Sequence, residues 1–147
     1  MIRVLILSGP NLNLLGTREP EIYGYDTLAD IERMCRDRAE IYGWIVDFRQ
    51  SNHEGELVTW IQESIGEIDG LIVNAAAYTH TSIALHDALK MLGDTPIIEV
   101  HISDPEKRES FRHTSYITPV AAEVIKGYGS KGYVMALERL SVLFAGG

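Results

Sequence analysis

Short apolar runs alternate along this chain with longer segments in which apolar residues recur at helical spacing. The runs cover residues 4–7, 44–48, 71–73, 97–100 and 120–125. Several of them are apolar at consecutive positions, which is typical of strands that are covered by helices on both faces. Because such alternation is characteristic of βαβ units, the sequence predicts five parallel strands connected by helices.

Between the runs, apolar residues lie three or four positions apart and predict amphipathic helices. Their apolar faces are Leu28, Ile31, Cys35 and Tyr42; Leu57, Trp60, Ile61, Ser64 and Ile65; Ala84, Ala88 and Leu92; and Leu137, Leu140 and Phe144. Thr27 with Asp30, and Ser51 with Glu54, have capping-box spacing and predict two helix starts.

The order of these elements resembles a flavodoxin-like, doubly wound α/β fold. We therefore expect a five-stranded parallel sheet with strand order 2-1-3-4-5, in a three-layer α/β/α arrangement. At 147 residues, the chain has the size of one domain, and we expect a single domain over residues 1–147.

The charge and composition of the chain exclude several kinds of partner. A formal net charge of −8 opposes attraction to nucleic acid or to an anionic membrane surface. Residues 1–7 are better interpreted as a first strand than as a signal peptide, and the single cysteine, Cys35, is compatible with a reducing compartment. We expect a cytoplasmic protein, and a small anionic substrate remains compatible with this charge because it responds to nearby arginines.

Residues 8–26 form an unusually long connection with little periodicity, whereas βα loops usually span about 2–6 residues. The connection carries Asn11, Arg18 and Tyr23, with Gly16 and Gly24 as flexion points. We interpret residues 16–25, approximately, as an active-site lid. The alternative is a surface excursion without function.

Polar residues follow the predicted strands 1, 3 and 4, which are neighbours in this sheet order. Ligands of open α/β sheets bind beyond the carboxyl ends of the strands. Asn11 follows strand 1, Asn74 and His80 follow strand 3, and Ser103 follows strand 4. We therefore expect these side chains to share one crevice.

Glu99 and His101 lie two positions apart on a predicted strand, so both side chains project to the same face. A carboxylate that orients an imidazole is the arrangement of a supported general acid. A structural ion pair at a strand end is the alternative.

Basic residues follow this strand directly, at Lys107, Arg108 and Arg112. The two arginines have i,i+4 spacing if the segment is helical. Their position beside the crevice favours recognition of an anion over a solvated charged face.

Tyr23 lies five residues after Arg18, and a nearby cation favours the phenolate form of a tyrosine. A tyrosinate can act as a general base at neutral pH, although a tyrosine near an arginine is common without any such role.

Two kinds of cofactor site are not expected. The glycines of residues 127–132 match G-x-G-x-x-G, but they lack a ribose-binding acid about 20 residues later, and turn formation explains them. The histidines lack the close spacing of a zinc site, so no metal is expected.

Four separated motifs resemble the type II 3-dehydroquinate dehydratases over essentially the whole chain. They are Gly9-Pro10-Asn11-Leu12-Asn13; Arg18-Glu19-Pro20 with Tyr23-Gly24; Asn74-Ala75 with Tyr78-Thr79-His80-Thr81-Ser82; and Glu99-Val100-His101-Ile102-Ser103 with Arg108 and Arg112. The resemblance implies dehydration of 3-dehydroquinate to 3-dehydroshikimate, in the shikimate pathway of aromatic amino acid biosynthesis, without a metal or an organic cofactor.

The resemblance also implies a role for each matched catalytic residue. Tyr23 would accept the C2 proton, with Arg18 keeping it ionised and stabilising negative charge, and Asn11 would hold a water against the enolate oxygen. His101, oriented by Glu99, would protonate the departing C1 hydroxyl in a trans elimination.

A second set of residues is expected from the resemblance to bind the substrate. The ligands it implies are Asn74, His80, Asp87, Ile102, Ser103 and Arg112, with Arg108 supporting the lid. Asp87 would reach a neighbouring subunit's site, which implies a homo-oligomer, a dodecamer built from trimers. The departures from the family pattern are mild: Ala76 stands where glycine is commoner, His86 where arginine is commoner, and Asp104 where asparagine is commoner.

Two alternatives remain open at this point. One is a non-catalytic flavodoxin-like binding module, although a phosphoacceptor receiver would need acids where this chain has Asn11 and Asn74. The other is a lyase or isomerase of the same fold that acts on another hydroxylated keto acid.

Overall fold

The computed structural model describes residues 1–17 and 19–146, and in this part of the chain five strands form one parallel sheet. The strands are β1 (Arg3–Ser8), β2 (Ile45–Gln50), β3 (Gly70–Asn74), β4 (Ile97–His101) and β5 (Glu123–Lys126). Their order is β2-β1-β3-β4-β5. The predicted fold class and strand order are confirmed.

The helices connect the strands and cover both faces of the sheet. They are α1 (Pro20–Tyr23), α2 (Leu28–Tyr42), α3 (Glu54–Ser64), α4 (Ile83–Lys90) and α5 (Lys131–Gly146). α2 packs beside α5, and α3 packs beside α4. No helix within the described residues is long and apolar enough to cross a membrane.

The two faces of the sheet belong to two separate hydrophobic clusters. On β1, Val4 and Ile6 join the cluster with α2 and α5, whereas Leu5 and Leu7 join the cluster with α3 and α4. Because successive strand residues point to opposite faces, both parities must be apolar. Burial of each large aliphatic side chain contributes about 1.5–3 kcal/mol, which explains why this strand is continuously hydrophobic.

One of the two predicted capping boxes forms. The Thr27 side chain accepts a hydrogen bond from the Asp30 amide, and the Asp30 carboxylate accepts one from the Thr27 amide. The box at Ser51 and Glu54 is wrong, because α3 begins at Glu54 with His53 at its N-cap position. The Ser51 hydroxyl instead accepts a hydrogen bond from the His53 amide at 2.9 Å, which turns the chain before the helix begins.

Two further boundaries differ from the sequence prediction. Ala88 and Leu92 are buried as predicted, but Ala84 is exposed, and Leu85 and Leu89 complete the apolar face of α4 in its place. The last strand begins at Glu123 rather than at residue 120, because residues Thr118–Val120 form a 3-10 turn. Pro119 favours the first turn of a helix and has no N–H to donate to a strand.

The long connection after β1 contains short ordered elements. A 3-10 turn (Leu12–Leu14) leads into it, and the buried side chains of Leu12 and Leu15 hold this first part against the core. The predicted lid contains α1. Arg18, which we predict as a lid residue, lies outside the described residues.

Candidate active site

A cavity of about 180 Å³ lies at the carboxyl ends of β1, β3 and β4, beneath α1. It forms where parallel α/β sheets bind their ligands. The structure brings most of the predicted site residues to its wall, namely Asn11, Tyr23, Asn74, His80, His101, Ile102, Ser103, Arg108 and Arg112. The crevice predicted from the strand ends is therefore one continuous site.

Glu99 and His101 form a buried pair on β4. The His101 Nε2 lies 2.5 Å from Glu99 Oε2, and Glu99 itself lies behind the cavity wall, with 1% of its surface exposed. Ser115 Oγ donates to Glu99 Oε2 at 2.9 Å, and Thr118 Oγ1 donates to Glu99 Oε1 at 2.6 Å. Both carboxylate oxygens are thus held, and His101 is oriented toward the cavity from behind.

The environment of Glu99 favours its charged form. Burial alone would raise the pKa of this carboxyl, but the hydrogen bond and charge of His101, with the hydroxyls of Thr118 and Ser115, outweigh burial and lower the pKa below its usual value. An ionised carboxylate next to an imidazole stabilises the imidazolium. The pair therefore has the electrostatics that a general acid at His101 needs.

Tyr23 enters the cavity from the lid side, at the end of α1. The guanidinium of Arg108 lies over its ring, with Cζ 5.1 Å from the ring centroid. Arg108 Nη1 also donates to Ser103 Oγ at 3.1 Å. Arg108 thus joins the lid to the loop after β4, and it brings a cation to Tyr23 in addition to the predicted Arg18.

His80 and Arg112 form the wall nearest the 3-10 turn Ser110–Arg112. His80 Nδ1 lies 2.7 Å from the Thr114 carbonyl oxygen, so Nδ1 carries the proton and a neutral ring presents Nε2 as an acceptor. Burial, together with the charges of His101 and Arg112, lowers the pKa of His80, although the Thr114 carbonyl opposes this shift. His80 is therefore suited to accept a hydrogen bond from a hydroxyl group.

The arrangement of the two arginines differs from the helical spacing that we considered. Residues Pro105–Lys107 and Ser110–Arg112 are separate 3-10 turns, and Arg108 has an extended backbone between them. Arg112 Nε donates to Glu109 Oε1 at 2.9 Å. Both arginines still reach the cavity, but Lys107 lines a neighbouring cleft instead.

Comparison with known proteins identifies the family. The sequence profile described as "Dehydroquinase class II" matches residues 2–141. The chain belongs to the class II dehydroquinase family. It is 54% identical over 144 residues to a "3-dehydroquinate dehydratase" of Streptomyces coelicolor, covering 98% of this chain and 92% of that protein. It is also 56% identical over 137 residues to a "3-dehydroquinate dehydratase" of Dinoroseobacter shibae, covering 93% and 91%.

Solved structures agree with this family assignment. The "type II Dehydroquinase" of Butyrivibrio crossotus superimposes with a TM-score of 0.93 at 42% identity, covering 95% of this chain and 97% of that one. The strand order, the cavity and the matched motifs therefore occur in this chain as parts of one class II dehydroquinase fold.

The glycine-rich segment after β5 is hydrogen-bonded to the end of β4 and to the backbone that follows it. The Gly127 amide donates to the His101 and Ser103 carbonyl oxygens, at 3.3 and 3.2 Å, and the Gly129 amide donates to the Ile102 carbonyl oxygen at 3.0 Å. These amides fix the backbone that follows β4. The turn interpretation of the G-x-G-x-x-G match agrees with these bonds.

Ala76, which stands where glycine is commoner in dehydroquinases, has a left-handed backbone with φ of 53°. An L-residue pays about 1–2 kcal/mol for this conformation, which glycine adopts freely. The Ala76 amide donates to Asn74 Oδ1 at 3.1 Å. The strained residue therefore helps to hold a predicted substrate ligand.

Several features of the site escaped the sequence analysis. Ser115 and Thr118 are the clearest, because they complete the shell around Glu99 from a loop without periodicity.

Asp87 is exposed on α4 and is not part of its own chain's cavity wall. Among residues 1–17 and 19–146, no three His, Cys, Asp or Glu side chains are grouped to hold a metal ion.

Proposed function

We propose that this chain is a 3-dehydroquinate dehydratase, a hydro-lyase that removes water from 3-dehydroquinate to give 3-dehydroshikimate. Membership of the class II dehydroquinase family supports this activity over a non-catalytic flavodoxin-like binding module. One observation carries the proposal: Tyr23 and His101 approach the same cavity from different elements, the lid and the sheet. The reaction belongs to the shikimate pathway.

The placement of Tyr23 and His101 supports an acid–base elimination. Tyr23, as phenolate, takes the C2 proton next to the ketone, and the electron pair forms an enolate. The C1–oxygen bond then breaks as His101 gives its proton to the departing hydroxyl, which leaves as water. Glu99 keeps His101 oriented. No metal or organic cofactor takes part in this scheme.

Stabilisation of the enolate requires positive charge or hydrogen-bond donors near the ketone oxygen. We assign this role to Arg18 and to a water held by Asn11. Asn11 lies at the cavity wall, and its backbone amide donates to Asn52 Oδ1 at 2.9 Å, which fixes the turn after β1. Arg108 lies over the ring of Tyr23 and supports it.

The remaining polar residues of the wall are suited to bind the substrate. Asn74 and the backbone amides of Ile102 and Ser103 are assigned to the carboxylate, while His80 and Arg112 are assigned to hydroxyl groups. Although the chain as a whole is acidic, the positive charge of Arg112 at the cavity wall favours an anionic substrate.

We extend the proposal to the assembly and its location. The single domain over residues 1–147 forms a cytoplasmic homo-oligomer, a dodecamer of trimers, in which Asp87 contacts the substrate of a neighbouring subunit. Exposed apolar side chains on and beside α4 support an interface there, since Ile83 is 57% and Met91 53% exposed. Light scattering measures the oligomer directly, and a monomer at assay concentration would contradict this assignment.

The activity is tested by incubating the purified protein with 3-dehydroquinate and following the ultraviolet absorbance of the conjugated product. Turnover should persist after treatment with a chelator. Absence of product would contradict the proposed function, and activity on another hydroxylated keto acid in its place would identify a different lyase or isomerase.

A further inference from the structure

A buried polar group lies directly beneath the cavity, between the sheet and the first turn of α5. Ser8 and Tyr133 are 0% exposed, and Asn74 is 3% exposed. Tyr133 is not part of the cavity wall, whereas Asn74 is. Neither Ser8 nor Tyr133 has a part in the elimination described above.

We propose that Tyr133, held by Ser8, is a positioning residue that fixes the Asn74 carboxamide with its NH₂ group toward the substrate. The proposal rests on the proposed function in one respect, which is that Asn74 binds the substrate. It explains why a tyrosine, rather than a phenylalanine, lies in this part of the core.

The sheet register brings the three side chains together. Ser8 on β1 pairs with Asn74 on β3, so both side chains project to the same face of the sheet. This is the face covered by α2 and α5, and Tyr133 belongs to its hydrophobic cluster. The Ser8 Oγ and the Tyr133 hydroxyl oxygen lie 2.9 Å apart.

One hydrogen bond determines which way the Asn74 carboxamide faces. The Ala76 amide donates to Asn74 Oδ1 at 3.1 Å, and an N–H can only be matched there by the carboxamide oxygen. A rotated carboxamide would place two donors against each other and leave both unsatisfied. The oxygen therefore faces the loop, and the NH₂ group takes the opposite side.

The NH₂ group then sets the direction of the whole chain of hydrogen bonds. The Ser8 hydroxyl is hydrogen-bonded to the Tyr133 hydroxyl, and the Asn74 side chain, which is in register with Ser8 across the sheet, lies beside the same hydroxyl. Because Asn74 offers only N–H groups on this side, Tyr133 accepts from Nδ2 and donates its own proton to Ser8 Oγ. Burial raises the pKa of Tyr133 to about 12, so its hydroxyl keeps the proton that this arrangement needs.

One N–H of Asn74 is used by Tyr133, and the other is left for the cavity. A donor at this point of the wall matches a substrate oxygen, such as that of a carboxylate. Loss of the Tyr133 hydroxyl would allow the carboxamide to rotate about its last torsion, and the donor would be misplaced without any change in the wall itself.

The test is a double-mutant cycle between Tyr133→Phe and Asn74→Ala, with Tyr42→Phe on α2 as the matched control. Removal of one neutral hydrogen bond predicts a five- to tenfold loss of kcat/KM for Tyr133→Phe, mainly through KM. In the Asn74→Ala background, Tyr133→Phe should change kcat/KM less than twofold. Ser8→Ala should act in the same direction as Tyr133→Phe, and Tyr42→Phe should leave activity unchanged.

An equal loss from Tyr133→Phe in both backgrounds would overturn the proposal, because the hydroxyl would then act on the fold and not through Asn74. Unchanged kinetics in Tyr133→Phe would overturn it as well. Thermal unfolding provides a readout without substrate. It compares the unsubstituted protein, Tyr133→Phe, Asn74→Ala and the double variant, and the effects of Tyr133→Phe and Asn74→Ala on the unfolding temperature should be non-additive. If the unsubstituted protein fails to dehydrate 3-dehydroquinate, the proposed function fails. Independently of activity, additive effects of Tyr133→Phe and Asn74→Ala on the unfolding temperature would contradict a bond between Tyr133 and Asn74.

Discussion

Arg108 lies over the ring of Tyr23, with its Cζ atom 5.1 Å from the ring centroid, and its Nη1 donates to Ser103 Oγ at 3.1 Å. This one side chain contacts both the base that we propose and the loop that follows the proposed acid. Arg108 therefore joins the lid to the loop after β4, beside the cavity into which Tyr23 and His101 both project.

Arg108→Ala should lower kcat at least tenfold, because it removes both the stacked cation and the bond to Ser103. Arg108→Lys should recover only part of this loss, since an ammonium does not reproduce the planar stacking of a guanidinium. Steady-state kinetics with unfolding curves for each variant check this expectation. Full activity of Arg108→Ala in a folded protein would contradict the role of this contact.

Arg112→Ala should raise KM more than it lowers kcat, because we assign Arg112 to substrate binding and not to proton transfer. The expected increase in KM is about tenfold or more, in line with the loss of a hydrogen bond to a charged group. The matched control is Arg139→Ala, because Arg139 is an exposed arginine that is also paired with a carboxylate, that of Glu123. An unchanged KM in Arg112→Ala would remove this residue from the binding site.

Glu99→Gln should lower both stability and turnover. The folded-state pKa of Glu99 is lowered, so its charge stabilises the fold at neutral pH. This contribution is lost as the pH falls from the ordinary pKa of a glutamate through the lowered pKa of the folded protein. We expect the variant to lose about 1–3 kcal/mol of unfolding free energy near pH 7. The difference from the unsubstituted protein should shrink in acid.

Denaturant unfolding at pH 7 and at pH 4 or below measures this pH dependence. Glu123→Gln is the control, because Glu123 pairs with Arg139 at the surface, where such pairs contribute less than about 1 kcal/mol. A stability difference for Glu99→Gln that stays constant across this range would contradict the assigned charge state.

The sequence predicted those features that periodicity controls. Strand parity placed Glu99 and His101 on one face, and strand order brought Asn11, Asn74 and His101 to one end of the sheet. The bonds around them could not be predicted, because Ser115 and Thr118 reach Glu99 across 16 and 19 residues of irregular chain. Tyr133 meets Ser8 across 125 residues, and only the register of the sheet and the packing of α5 determine that contact.

Ala76→Gly should stabilise the protein slightly. Relief of the left-handed backbone at φ 53° gains about 1–2 kcal/mol, and the greater freedom of glycine in the unfolded chain returns about 0.4–1 kcal/mol. The net gain, about 0.8 kcal/mol at the midpoints of these ranges, corresponds to a rise in Tm of roughly 2–3 °C for a domain of this size. Ala77→Gly, in the same 3-10 turn without a positive φ, is the control and should lower Tm. A lower Tm in Ala76→Gly would show that the strain has been offset by contacts of the Ala76 methyl group.

The central claim is that Tyr23 and His101 carry out the elimination in one shared cavity, and the most direct measurement is turnover of 3-dehydroquinate by Tyr23→Phe beside the unsubstituted protein. The unsubstituted protein should form 3-dehydroshikimate, and Tyr23→Phe should lose at least ~100-fold in kcat with its fold intact, because a positioned general base contributes about 10²–10⁴. Near-normal turnover by a folded Tyr23→Phe variant would contradict the claim and assign the base to another residue.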